Sequence, residues 1–199
     1  SVPPIPAVPT LVSPLNNSTG QPLNLNLIWN KPQYSTKYRV LLATDSLFNT
    51  IIINDSLLTD SIKSLSNLNN LTNYYWKVNA GNSAGWSSYS SVYKFTTLPP
   101  IPGAPTLISP LNNATNQVPN VLLDWSAVVN ASSYRIQIAN DSLFTSMVFD
   151  TSNVNRDSLR VRLGLLIVNT KYFWRVNANN IAGTGPWSTV WNFRISPVA

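Results

Sequence analysis

Two stretches decide the fold: YYWKVNAGNSAG, from Tyr74 to Gly85, and YFWRVNANNIAG, from Tyr172 to Gly183. In the first, Tyr74, Trp76, Val78 and Ala80 alternate with Tyr75, Lys77 and Asn79. The second repeats the alternation with Tyr172, Trp174, Val176 and Ala178. An apolar residue at every second position is the period of a strand buried on one face, because successive side chains of extended backbone point to opposite sides. The two stretches stand 98 positions apart, so one strand has been written twice.

Working outward, the duplication covers nearly the whole chain. VPTLVSPLNNSTGQPLNLNLIW, from Val8 to Trp29, returns as APTLISPLNNATNQVPNVLLDW, from Ala104 to Trp125, at an offset of 96. YRVLLATDSLFNT from Tyr38 returns as YRIQIANDSLFTS from Tyr134 at the same offset, and VYKF at Val92 to Phe95 returns as VWNF at Val190 to Phe193 at an offset of 98. Tyr38, Val40 and Leu42, like Tyr134, Ile136 and Ile138, form further inward sets, with Arg39 and Arg135 pointing away. Long matches at fixed spacing mark a repeated structural unit. The residues before each copy also match, VPPIPAVPTL against LPPIPGAPTL. This places domains at 7–97 and 104–196, with Pro-rich segments at 1–6 and 98–103 read as linkers held near polyproline II.

Each copy carries about seven short apolar runs in roughly 95 residues, separated by Asn, Gly and Pro, and none has helical periodicity. The expected fold is all-β: two tandem immunoglobulin-like sandwiches. At Trp29 and Trp125, Tyr38 and Tyr134, the Y-x-x-[KR]-V-x-A runs from Tyr74 and Tyr172, and the turn at Gly183 with Trp187 and Ser188, the chain resembles the fibronectin type III family. The L-x-SP-x-NNAT opening and the DSLF segment look like the variant found in secreted bacterial surface proteins. That resemblance implies a tyrosine corner at Tyr74 and at Tyr172, and an extracellular bacterial location. Tyr89 departs from it, standing where the second copy has Trp187. No Arg-Gly-Asp occurs, so integrin-type adhesion has no support. Trp29, Trp76, Trp125, Trp174, Tyr74 and Tyr172 are the expected structural core.

Composition narrows the function. The 199 residues are 44% hydrophobic and 10% charged, enough apolar material for packed cores, and no apolar run is long enough to span a membrane as a helix. The net charge of +6 sets 13 Lys and Arg against seven acids, all Asp. Those cations are scattered singly along strands, which argues against nucleic acid as a partner. His, Cys and Glu are absent. Their absence removes the usual general bases, thiol nucleophiles and zinc ligands. Asp55 and Asp60, the nearest acidic pair, are too few for a calcium loop. No catalytic residue, metal site or cofactor is expected. The chain opens at Ser1 without Met, and reads as a mature protein or a slice of a longer one.

Two features remain. Five of the seven Asp residues open an Asp-Ser-Leu/Ile triplet. This resembles the short O-glycosylation signal of some Gram-negative bacteria and makes Ser46, Ser56, Ser61, Ser142 and Ser158 candidate acceptors of a sugar. The competing reading is that Asp and Ser simply build turns. On the outward faces, Arg39, Tyr75, Lys77 and Lys94 of the first copy, and Arg135, Phe173 and Arg175 of the second, form a cation and aromatic stripe suited to a partner. The same stripe is also what cross-strand packing on a solvated sheet produces. The leading expectation is a non-catalytic structural or adhesive module of a surface fibre, partnered by copies of itself or other surface proteins. The alternative is a spacer or polysaccharide-binding module of a secreted enzyme, which predicts exposed aromatics in a row.

Overall fold

The computed structural model describes residues 2–162 and 164–197. They fall into two compact units, Ser1–Pro99 and Pro100–Ala199. The first holds β1 (Leu11–Ser13), β2 (Ser18–Gln21), β3 (Leu25–Trp29), β4 (Lys37–Ala43), β5 (Ile51–Leu58), β6 (Ile62–Leu65), β7 (Asn73–Asn82), β8 (Gly85–Trp86) and β9 (Tyr93–Thr97). The second repeats them as β10 (Leu107–Ser109), β11 (Ala114–Gln117), β12 (Leu122–Trp125), β13 (Ser133–Ala139), β14 (Met147–Val154), β15 (Ser158–Arg160), β16 (Lys171–Asn180), β17 (Gly183–Trp187) and β18 (Trp191–Ile195). The described residues include no helix that is long and apolar enough to cross a membrane.

Nine segments replace the seven expected in each copy for two local reasons. The opening strand breaks in two after Ser13 and after Ser109, its second half moving to the other sheet. There β2 runs parallel to β9 and β11 parallel to β18. The turn after the long central strand also pairs back on it, giving β8 and β17. The result in each unit is a three-stranded sheet, β1-β3-β6 or β10-β12-β15, and a larger sheet, β2-β9-β7-β4-β5 or β11-β18-β16-β13-β14.

The two sheets of each unit close over one core. In the first, Leu27 and Trp29 of the small sheet pack with Tyr38, Val40, Leu42, Tyr74, Trp76, Val78 and Phe95 of the large one. In the second, Leu123 and Trp125 pack with Ile136, Ile138, Tyr172, Trp174, Val176 and Phe193. Trp29, Trp76, Trp125 and Trp174 are almost wholly buried, as are Tyr74 and Tyr172. Trp29 meets Tyr38, and Trp125 meets Tyr134, edge to face at 5.5 Å, an arrangement that satisfies the quadrupoles of both rings. Strict alternation fails at Asn79 and Asn177. Both lie on the outward side of the central strand and yet are buried, because the returning chain covers them. Asn79 Nδ2 donates to the Ser87 carbonyl at 3.3 Å.

One pair of equivalent residues differs in its hydrogen bonding for a reason visible in the sequence. The Tyr134 hydroxyl accepts the Val128 N–H at 2.9 Å. In the first copy the position of Val128 is held by Pro32, which has no N–H to give, and the buried Tyr38 hydroxyl has no partner among the described residues. Tyr134→Phe is therefore expected to cost about 1 kcal/mol. Tyr38→Phe is expected to be neutral or stabilising, because it removes an unpaired buried hydroxyl. Urea denaturation of the two variants checks this, and equal losses would contradict it.

The Pro-rich segments carry contacts to the unit that follows each of them. Asn82 Nδ2 donates to the Pro4 carbonyl at 2.7 Å and to that of Tyr34 at 3.2 Å. Asn180 Nδ2 does the same to Pro100 at 2.8 Å and Asn130 at 3.0 Å. Ile5 rests on Gly85 and Ile101 on Gly183, both glycines at positive φ.

Candidate interaction face

The outward side of the larger sheet holds the cation and aromatic stripe, and the register brings its members together. In the second unit Arg135 lies opposite Asn177, Gln137 opposite Arg175 and Ala139 opposite Phe173. The Arg135 guanidinium grips Asp150 with Nε to Oδ1 at 2.8 Å and Nη2 to Oδ2 at 2.6 Å. Gln137 Nε2 donates to the same carboxylate at 2.9 Å, and its Oε1 accepts from Arg175 Nε at 2.8 Å. The Arg135 hydrogen bond holds the Asp150 carboxyl below the usual carboxylate range, and Asp150 in turn raises Arg135. Burial, with Arg135 nearby, lowers Arg175. Arg175 is wedged between two rings, 4.0 Å from the centre of Phe144 and 4.3 Å from that of Trp187, while Arg135 lies 5.8 Å from Trp187.

The first unit builds a looser version. Lys77 Nζ sits 4.0 Å over Phe48 and 4.9 Å over Tyr89, and Arg39 Nε donates to Asn54 at 2.8 Å. Tyr75 pairs across to Lys94. Half-buried Phe173 has Lys171 Nζ 5.0 Å from its ring centre. In the first copy Leu41 stands where Gln137 does, Asn54 where Asp150 does and Lys77 where Arg175 does, so the carboxylate, the bridging carboxamide and the planar fork of the hydrogen-bonded network are all missing there. The aromatics are interleaved with cations of the same chain. A free row of rings, as a sugar-stacking face requires, is not what the stripe presents.

The contribution of Phe48 and Phe144 was not foreseen from the sequence. They enter because the DSLF turn folds back over the sheet with the Phe at φ 60° in each copy. That turn is organised by its Asp. Asp45 accepts the N–H groups of Leu47, Asn49 and Thr50 at 3.1, 3.0 and 2.7 Å. Asp141 accepts those of Leu143, Thr145 and Ser146 at 2.9, 3.2 and 2.6 Å. These donors hold both carboxyls below their ordinary value. The signal was the recurrence of Asp-Ser-Leu-Phe at one place in both copies.

The candidate acceptor serines separate into two groups. Ser46, Ser56 and Ser142 are exposed, and each is followed by an exposed leucine, Leu47 at 79%, Leu57 at 88% and Leu143 at 81%. Ser61 and Ser158 are half-buried. Not all the triplets are turns: Asp55, Ser56 and Leu57 lie within β5, and Ser158 and Leu159 within β15. Asp55 is tied there by Lys63 at 2.8 Å. No group of three or more potential metal ligands occurs among the described residues.

Two further features mark the family likeness of the framework. The Tyr74 hydroxyl accepts the Asn69 N–H at 3.0 Å, and that of Tyr172 accepts the Ile167 N–H at 2.8 Å, a tyrosine corner in each copy. In the Trp-Ser turn, Ser188 Oγ accepts the Val176 N–H at 3.1 Å, and Ser90 Oγ that of Val78 at 3.1 Å. Each unit is an all-β sandwich of two sheets, the fold that the resemblance to the fibronectin type III family implied. A crystal structure of the chicken CNTN1 FN1-FN3 domains is similar over 96% of this chain and 67% of that one, at 18% identity and a TM-score of 0.48. No family model and no curated protein matches. Between the two sandwiches the stripe differs in both charge and hydrogen bonding.

Proposed function

We propose that the protein is a non-catalytic building block of an extracellular bacterial surface fibre, supplying length and contacts between copies rather than a reaction. The observation that carries this reading is the open edge of each larger sheet. β5 and β14 are eight residues long and, among the described residues, pair on one side only, with β4 and β13. Their outer sides offer unpaired N–H and C=O groups, and Ile51, Ile52 and Met147 are exposed there. Such an edge is a template for a strand from a second copy. The lack of His, Cys and Glu agrees with a protein that performs no chemistry. In the same reading Ser46, Ser56 and Ser142 carry O-linked sugar before Ser61 and Ser158, since a transferase needs the hydroxyl and its flanking leucine in the open.

Electron microscopy and sedimentation of the purified protein test the assembly. Filaments or laterally paired oligomers are expected, and their loss in an Ile52→Lys, Met147→Lys double variant, where charges block both edges, supports the edge contact. A protein that stays monomeric at high concentration sinks the fibre reading. Intact mass of material from the native source tests the sugar.

A further inference from the structure

The two copies differ at one place where the chain of one fills a depression that the other leaves open. In the first unit Trp86 lies flat on Gly81, and a Cβ on Gly81 would stand 2.7 Å from Trp86 Cε3. The Nζ of Lys37 covers the same ring at 4.8 Å. In the second unit the corresponding residues are Asn179, Thr184 and Ser133, so both the ring and its covering amine are missing. What remains is an open depression of about 620 Å³ lined by Arg135, Asp150, Ser152, Asn153, Asn179 and Thr184. That volume falls within the range of small-molecule sites, roughly 300–1,000 Å³.

The lining is built, not left over. Tyr134 pairs with Val154 and Ile136 with Thr151, so β14 carries an extra residue opposite Arg135. β5 has the same bulge opposite Arg39, but in the second unit it presents Ser152 and Asn153 at the rim where the first has Ser56 and Leu57. Asn153 adopts φ 60°, whereas Leu57, at the same place in the first copy, is not left-handed. Thr184 Oγ1 donates to Asn179 Oδ1 at 2.6 Å. This fixes the carboxamide and turns its two N–H donors away from the threonine, with no other partner among the described residues.

We propose that this depression binds a neutral saccharide. The charges of Arg135 and Asp150 cancel within their own bidentate pair, so the lining has no net charge to offer an anion. No lining side chain is a large apolar one, so there is no pocket for the anchor of a peptide. The groups that remain are closely spaced donors and acceptors, Asn179 Nδ2, the Asn153 carboxamide, the Ser152 and Thr184 hydroxyls and the outer lone pairs of Asp150. Adjacent sugar hydroxyls, each able both to donate and to accept, complement such a set. With little apolar area to bury, affinity is expected near the millimolar range.

A titration of the full chain followed by amide and side-chain NMR tests this. The probes are glucose, galactose, mannose, xylose and N-acetylglucosamine with their short oligomers, and inorganic sulfate as the charged control. The expected result is saturable shifts for at least one saccharide, confined to residues around Asn153, Asn179 and Thr184, with the first unit silent. The double variant Asn179→Gly, Thr184→Trp installs the residues that the first copy already packs in the same fold, and should lower the affinity at least tenfold. Asn179→Gly alone removes the amide donors without adding a ring and should weaken binding severalfold. The proposal is overturned by the absence of saturable shifts with every saccharide, by binding that survives in the double variant, or by sulfate binding as tightly as the best sugar.

Discussion

Trp174→Ala is expected to cost the second unit about 3–5 kcal/mol. Trp174 is fully buried, opposite Ile138 on one side and Trp191 on the other. Its removal forfeits one of the two largest transfer terms in that core, the other being Trp125, and leaves a cavity that neighbouring strands, locked by their ladders, cannot close. The indole N–H has no partner in the core, so no hydrogen bond adds to the loss. Against a typical total of about 5–15 kcal/mol for a domain, the change removes a large share of the stability. For a unit near 100 residues, it lowers the melting temperature by about 15 °C or more. Because the two cores contain different residues, amides of β16 and β13 should lose hydrogen-exchange protection while those of β7 and β4 keep theirs. Trp174→Phe, which retains most of the volume, should cost distinctly less. A loss below about 1 kcal/mol for the alanine variant would show that this residue does not organise the core.

Gly185→Ala is the second large effect. A Cβ there would stand 2.2 Å from the Pro102 carbonyl oxygen, 3.1 Å from its carbon and 3.3 Å from the Ala178 oxygen. All three are backbone atoms, so no side-chain rotation relieves the clash. Either β17 moves off β16 or the Pro100 to Pro102 segment leaves its seat. Pro102 is buried in that seat, and the segment is held by the 2.8 Å bond from Asn180 to Pro100 and by Ile101 resting on Gly183. The expected loss is about 1–3 kcal/mol, with a shift of the Asn180 side-chain amide resonance as its local sign. The first copy carries Ser87 at this position, its hydroxyl accepting the Ala80 N–H at 3.1 Å. The requirement for glycine therefore belongs to the second unit and not to the sandwich in general. An alanine variant with unchanged stability and an unmoved Asn180 signal would contradict the argument.

How far the molecule could be read from its residues depended on the range of the forces involved. The alternation in Tyr74, Trp76, Val78 and Ala80 is local, since it follows from backbone geometry within one strand, and it gave the buried face directly. It misjudged Asn79 and Asn177, because what covers them is the chain returning through β8 and β17, several residues away. The cations of the stripe were legible as outward residues. That Arg175 is wedged between Phe144 and Trp187 was not, since those rings come from a turn and from another strand. The Asp-Ser-Leu triplets looked alike as text, yet Ser46 lies in a turn stabilised by Asp45 and Ser56 in an edge strand.

By itself, the sequence determined the duplication, the two separate cores and their all-β character, because those follow from periodicity and from a fixed offset between copies. Only the tertiary structure decided that Trp86 fills in the first unit the depression that Asn179 and Thr184 leave open in the second, and that Gly185 is matched to Pro102. Both depend on the approach of segments distant in the chain, where a few tenths of an ångström separate a contact from a clash. No pattern along a single strand records that distance.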